Sequence, residues 1–318
     1  MASIRLFKMG ADPEFGFVRP DDLDDLVSAC DLIEHNLGGR FGLDGHSDIA
    51  ELRPLPSINP SKVVQNIYDD MVFGYTRNKE TRKFYWRAGS YVGTPIGGHI
   101  HFGTRGLLRS EKKKYAVRSL DNYLAQIVLL LENAKEVSLR NEEDFGFFSD
   151  YRGNDCGGLE YRVLGSWLTS PRVAEGVLAL AQTVMYQILW EIRPKCKVRK
   201  LKTSPKLAAP HSLGCDGDCS NGEWGEDPCE CGDTNFTAKF ITDTRKKFPE
   251  IRRRIRNFKL YKRHEVAIEF LFRLIEKKKT WFPGCDMKEA WGITEAAPIR
   301  ILSSVQFNDI WKRARRSR

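Results

Sequence analysis

Hydrophobic and polar positions change period along the chain, and the changes mark out its elements. Residues 3–8 (SIRLFK) and 14–18 (EFGFV) alternate as short strands around a Gly10–Pro13 turn. Residues 21–36 read as a helix with acidic residues in its first turn, where the helix dipole favours them. Residues 40–53 alternate as a strand, or as two strands broken at Asp44-Gly45. The 59–79 stretch reads as a helix with Pro60 near its first position. Residues 84–92 and 98–103 predict two strands, joined by the turn chemistry of Gly93-Thr94-Pro95-Ile96-Gly97-Gly98.

A long helix is predicted from about Ser110 to Val137, with Leu120, Tyr123, Leu124, Ile127, Leu130 and Leu131 on one stripe. A loop rich in Asp, Asn and Gly follows, then a strand over 159–164. Pro171 opens a helix that runs to about Trp190. Its apolar stretch contains Glu175, Gln182 and Gln187, so it reads as a core helix and not a membrane span. Residues 236–280 look helical and basic, and the last 38 mix short elements with the tail WKRARRSR. Short strands bearing polar groups, separated by long helices, predict an α+β fold with helices on one side of a sheet.

Composition narrows the class. Of 318 residues, 29% are charged and 41% hydrophobic, an ordinary globular balance that excludes a collagen, a disordered tail protein and a membrane bundle. The net charge of +9 is unevenly spread. Residues 1–60 hold 5 Lys/Arg against 11 Asp/Glu, whereas residues 241–318 hold 21 against 9. An acidic front suits cations and a basic end suits phosphates or nucleic acid; a solvated helix face reads equally well there. The N-terminus has no apolar segment of a secretion signal, so a cytoplasmic location is the expectation.

Of eight cysteines, Cys215, Cys219, Cys229 and Cys231 crowd into 17 residues, with His211 nearby. In a reducing compartment such a cluster suggests structural zinc, with free or redox thiols as the other reading. Acidic neighbours Asp216, Asp218 and Glu230 argue against a finger that reads nucleic acid.

The chemistry lies on the strands. No GxxxxGK[ST], GxGxxG or GxSxG pattern is present. Asp12 and Glu14 stand two apart on a strand, so they share a face and repel each other unless a cation or donor intervenes. Asp44, Asp48, Glu51 and Arg53 crowd a segment with few apolar residues. Glu51 with Arg53 is either a surface ion pair or a metal ligand beside a phosphate-binding arginine. His99 and His101 share a strand face between glycines, as divalent-metal ligands or as paired core histidines. Glu160 and Arg162 repeat the Glu-x-Arg pattern. A sheet face lined this way is costly as a core and sensible as a cradle for divalent cations and polyphosphate.

The ordered set GADPEF, GLDGHSDIAELRP, GGHIHFG and GLEYRVLGSW, over roughly residues 8–190, resembles the phage-type carboxylate–amine ligases (type 2) of the glutamine synthetase and glutamate–cysteine ligase superfamily. The resemblance implies a glutamine synthetase-like antiparallel sheet forming an open funnel, with packed helices and a Cys-rich insertion. It implies a catalytic core over 1–199, the insertion over 200–235, and a basic helical part over 236–318 completing the same domain. It implies ATP and Mg²⁺ (or Mn²⁺) as cofactors. Asp12, Glu14, Asp44, Glu51, His99 and Glu160 would be metal ligands. Arg162 and Arg53 would contact phosphate, His101 the cofactor or substrate, and Asp48 would accept a proton from the amine. The reaction implied is ADP-forming amide or peptide bond formation through an acyl phosphate. The partners would be a carboxylate and an amine acceptor, with a nucleic acid conceivable as acceptor through the basic end Arg252-Arg253-Arg254 and Lys277-Lys278-Lys279. Related enzymes often assemble into dimers or rings, so an oligomer is compatible with the resemblance, and a phage-encoded protein would lie in the host cytoplasm. Two other classes remain open: a metal-dependent phosphohydrolase or nuclease on the same face, and a zinc-bearing nucleic-acid-binding protein on a ligase scaffold.

Overall fold

The computed structural model describes residues 6–33, 39–104, 108, 110–153, 158–193, 234–281 and 286–293. Its centre is β1, Met9–Val18. The turn expected at Gly10–Pro13 does not form; these residues run straight through the strand. Strand geometry explains how Pro13 is accommodated. Glu14 N–H donates to Gly97 O, so the neighbouring Pro13 turns its nitrogen to the opposite edge. On that edge the ladder to the next strand begins only at Glu14, so no bond is lost there.

Among the described residues, eight strands form one antiparallel sheet. Besides β1 these are β2 (Leu26–Val27), β3 (Phe41–Leu43), β4 (Ala50–Leu52), β5 (Tyr85–Arg87), β6 (Gly98–Phe102), β7 (Tyr151–Gly153) and β8 (Leu159–Tyr161). The order is β3-β4-β1-β6-β8-β7, with β2 and β5 pairing the far end of β1. Among the described residues the sheet stays open and no funnel closes. The helix expected over 21–36 is replaced by a turn, β2 and a single helical turn, α1 (Ala29–Leu32). Its aspartates serve the turn instead: Asp22 Oδ1 accepts from Asp24 N–H, and Asp25 pairs with Arg19. The 40–53 segment takes its two-strand form, as β3 and β4. β5 is much shorter than the strand expected over 84–92. Strand β7 falls where a loop was expected.

The helices begin where the sequence signals them. α2 (Pro60–Arg77) is capped by Asn59 Oδ1 on Ser61 N–H, and α6 (Pro171–Glu191) by Ser170 Oγ on Val173 N–H. The long helix expected from Ser110 is interrupted. α3 (Ser110–Leu120) passes through a π turn (Asp121–Ala125) into α4 (Gln126–Leu129), and α5 (Ala134–Glu142) restarts at an Asn133 cap. The basic segment is two helices, α7 (Thr234–Ile255) and α8 (Tyr261–Glu276), followed by the short α9 (Met287–Trp291). α6 meets the length and composition of a membrane span, yet most of it is buried in the protein.

Alternation along each strand divides the sheet into two faces. Met9, Ala11, Phe15 and Phe17 of β1, Ala50 and Leu52 of β4, Ile100 and Phe102 of β6, and Leu159 and Tyr161 of β8 are all buried on the helix-covered face. Phe15, Phe17 and Phe41 surround Trp86 at centroid distances of 5.1–5.8 Å. The intervening residues point the other way, and they are the charged ones.

Candidate active site: a charged sheet face

Antiparallel register collects these side chains into rows, because residues directly opposite one another share a face. In one row Gly42 of β3 faces Glu51 of β4, which faces Glu14 of β1. In the next row Asp12 faces His99, and the backbone of Arg162 bonds that of Asp150 further along. Arg53, two residues beyond Glu51, continues this row on the β4 side. In the third row Gly10 faces His101, His101 faces Glu160, and Glu160 faces Arg152. Three residues suffice at β4 and β8, because each presents one carboxylate, Glu51 or Glu160, between two apolar residues.

Glu14, Asp44 and Glu51 each offer an oxygen within 4.8 Å of the others. Glu14 is anchored by Gly97 N–H on Oε2 at 2.6 Å, and its main-chain oxygen accepts from Ser166 Oγ at 2.6 Å. Gly97 packs closely here: a Cβ would sit 3.0 Å from His99 Nε2 and 3.4 Å from Glu14 Oε2, so those side chains would have to shift by a few tenths of an ångström. Glu51 pairs with Arg53 Nε at 2.7 Å, and Arg53 Nη2 also donates to Leu43 O at 2.7 Å. His99 Nδ1 lies 3.6 Å from Glu14 Oε1 and 3.9 Å from Glu160 Oε1. Asp12 turns away from the cluster, with Oδ2 2.6 Å from His101 Nε2. Arg162 Nε stands 3.9 Å from Asp150 and 4.0 Å from Glu160. Asp48 lies in the β3–β4 turn, beside Ser47 and His46. The face thus brings together Glu14, Asp44, Glu51, Arg53, His99, Glu160 and Arg162, sets Asp12 with His101, and leaves Asp48 at the turn.

Protonation reflects this crowding. Burial pushes Glu14 up to about 8, against the Gly97 hydrogen bond that pulls it down. Burial pushes Glu51 up to about 9, with Asp12 and Asp44 adding repulsion against the pull of Arg53. Asp44 is held below its usual value. Burial opposes this, but hydrogen bonds from Gly45 N–H, Glu51 and His46 N–H outweigh it. Burial and the Arg162 charge lower His99 to about 4, so its imidazole is neutral. For His101, burial favours the neutral ring, yet the Asp12 hydrogen bond and charge raise it.

The donors fit a divalent cation. Carboxylate oxygens suit Mg²⁺ or Mn²⁺, and a neutral imidazole is a competent additional ligand. Protons held on two of three clustered carboxylates are what a cation displaces. Glu160 Oε1 is buried without a hydrogen-bond partner, the mark of an oxygen awaiting one. The cysteine cluster with His211, the residue range 200–233 and the C-terminal tail lie outside the described residues.

Two side chains on this face were missed in sequence. Asp150 and Arg152 lie in the Asp/Asn/Gly-rich stretch, and β7 is too short for its alternation to register. The Arg-Gly-Asn run after a Tyr carries no motif; only pairing with β8 assigns Arg152 a face.

Residues 9–205 match the family described as phage phiEco32-like COOH.NH2 ligase-type 2. No curated protein matches the chain. Among solved structures, a bifunctional glutathione synthetase from Pasteurella multocida is similar at TM-score 0.42 and 11% identity, over 98% of this chain and 52% of that one. The chain therefore spans about half the length of that protein. The family match covers well over half of the 318 residues and takes in all eight strands with every charged residue of the sheet face, and on that ground the chain belongs to the phage-type carboxylate–amine ligase family, type 2.

Proposed function

We propose that the protein is an ATP- and Mg²⁺-dependent ligase that joins a carboxylate to an amine through an acyl phosphate, with release of ADP. The observation that carries this reading is the row-by-row assembly of carboxylates, a neutral imidazole and arginines on one open sheet face.

Glu14, Asp44 and Glu51 would hold the cation, with His99 and Glu160 beside them. A divalent ion there supplies positive charge against the phosphate oxygens. Arg53 on the β4 side and Arg162 on the β8 side flank the acidic cluster, and their guanidinium groups orient the phosphates and take up charge on the transferring γ-phosphoryl group. The substrate carboxylate attacks that phosphorus and ADP leaves. The amine nitrogen then attacks the acyl carbon and inorganic phosphate leaves. His101, fixed by Asp12, faces the bound ligand, and Asp48 on the β3–β4 turn takes the proton lost by the amine. No nucleophilic side chain is required.

A phosphohydrolase would use the same carboxylates; the family match favours amide formation. A zinc site at Cys215, Cys219, Cys229 and Cys231 is kept as a separate proposal, tested by metal analysis of freshly purified reduced protein. A nucleic-acid acceptor is tested by salt-dependent binding.

The deciding assay measures ADP release from Mg-ATP with pooled amino acids and polyamines, using hydroxylamine as surrogate amine. Carboxylate-dependent ADP release with hydroxamate formation is expected from the native protein. Both should be lost in Glu160→Ala and in Arg162→Ala, with circular dichroism unchanged. Activity retained in both variants removes the two residues from the site. Absence of Mg-ATP binding in calorimetry removes the ligase reading itself.

A further inference from the structure

The third row of the sheet face ends on a guanidinium to which neither the family motifs nor the roles above assign a task. Arg152 lies on β7, the terminal strand, opposite Glu160. Its Nε donates to Glu160 Oε2 at 2.5 Å, a single contact from the side of the guanidinium. The two Nη nitrogens, the fork whose spacing matches a two-oxygen anion, take no part in that bond. The side chain is 61% exposed, whereas that of Glu160 is 3% exposed.

A structural ion pair looks different in this same protein. Arg140 meets Glu132 through Nη2 at 2.7 Å, and those side chains are 3% and 2% exposed. There both charges are buried together and the pair closes on itself. At Glu160 only the carboxylate is buried, and the guanidinium projects from it into the open side of the face. Glu160 thereby aims Arg152 by its Nε and leaves the Nη edge outward. The contacts run inward from there: Glu160 Oε1 lies 3.9 Å from His99 Nδ1, which lies 3.6 Å from Glu14 Oε1. Arg152 therefore stands on the rim beyond Arg162, at the opposite end of the face from Arg53 and the acidic cluster. A ligand whose one end is held at the cation cluster meets Arg152 with its other end.

We propose that Arg152 binds an oxyanionic group of the ligand through its Nη edge and thereby sets which ligands are held across the face. The proposal rests on the ligase reading for its two sources of oxyanion, a phosphate of the nucleotide or the carboxylate of the acid substrate.

The test compares the native protein with Arg152→Gln, a change on an exposed edge-strand side chain whose effect on folding is checked by thermal melting. Mg-ATP affinity is measured by calorimetry, [¹³C]acetate affinity by NMR, and affinity for Mn²⁺ alone by electron paramagnetic resonance. A charge-assisted pair of hydrogen bonds leads to an expected loss of about 10- to 100-fold. A loss confined to Mg-ATP assigns the nucleotide phosphate, and a loss confined to acetate assigns the acid substrate. Equal affinities of the two proteins for both probes, including no binding by either, overturn the proposal. A parallel loss of Mn²⁺ affinity also overturns it, because Arg152 would then only be positioning Glu160. Failure of the ligase reading shows separately: the native protein would ignore Mg-ATP while acetate still distinguished it from the variant.

Discussion

At Glu14 the carboxylate accepts from Gly97 N–H while the main-chain oxygen accepts from Ser166 Oγ, so the side chain is fixed from two segments distant in sequence. Substituting Glu14→Gln keeps the Gly97 bond and removes the charge. Mn²⁺ affinity is expected to fall by roughly 100-fold with little change in metal-free melting temperature, the size of effect seen when a charged partner is lost. Electron paramagnetic resonance titration checks it, and unchanged affinity would take Glu14 out of the cation cluster. Asp121 shows a different use of a buried carboxylate. It accepts from Tyr161 O–H at 2.6 Å, Ser149 Oγ at 2.9 Å and Ser149 N–H at 3.2 Å, tying the π turn to the apolar side of β8. Burial nevertheless pushes it up to about 6. The folded state then holds a proton that the unfolded chain loses near pH 4. This contribution is full below that pH and is lost as pH rises through about 6. Between pH 4 and 6 it should erode stability by on the order of 2 kcal/mol, and Asp121→Asn should flatten that slope in urea melts.

Elements in this molecule are placed by close approach as much as by periodicity. Helices α6 and α8 meet at Gly176, where an added Cβ would sit 2.7 Å from Leu271 Cγ and 3.1 Å from Ala267 O. Gly176→Val should therefore force the helices apart and cost about 1–3 kcal/mol, read as a lower urea midpoint. The π turn and the break before Asn133 divide what the apolar stripe alone would extend as one helix. Strand β1 illustrates the opposite error. Gly10, Asp12 and Pro13 have turn composition, yet pairing on the β6 side carries the chain straight through. Local residue types cannot report that a partner strand is waiting.

Across the whole molecule, the helix layer supports the charged face through a few buried polar links. Glu132 pairs with Arg140 and accepts from Gly165 N–H at 3.2 Å, immediately before the Ser166 that holds Glu14. Glu132→Ala leaves Arg140 buried without its partner, for which a loss of about 3–5 kcal/mol in chemical denaturation is expected. A divalent cation that binds only the folded face should also raise the melting temperature. The stabilisation is about 2.7 kcal/mol at a concentration one hundred times its dissociation constant. Chelator should reverse it, and at the same concentration Glu14→Gln should gain only about 0.4 kcal/mol.

Sequence alone set Glu14 with Asp12, Glu51 with Arg53, His99 with His101 and Glu160 with Arg162 on shared strand faces, because i, i+2 spacing states which side chains point the same way. It also determined the α+β class and the starts of α2 and α6, which depend on local capping by Asn59 and Ser170. Register between strands was decided only in the tertiary structure, because it depends on hydrogen bonds among segments up to about 150 residues apart, such as Ser166 to Glu14. That register set Asp12 opposite His99 and diagonal to the His101 it contacts, set Glu14 opposite Glu51, and gave Arg152 a place on the face. Charge state, too, belongs to the fold: Glu14 and Glu51 are ordinary carboxylates in the chain and hold their protons only once neighbours exclude water from them.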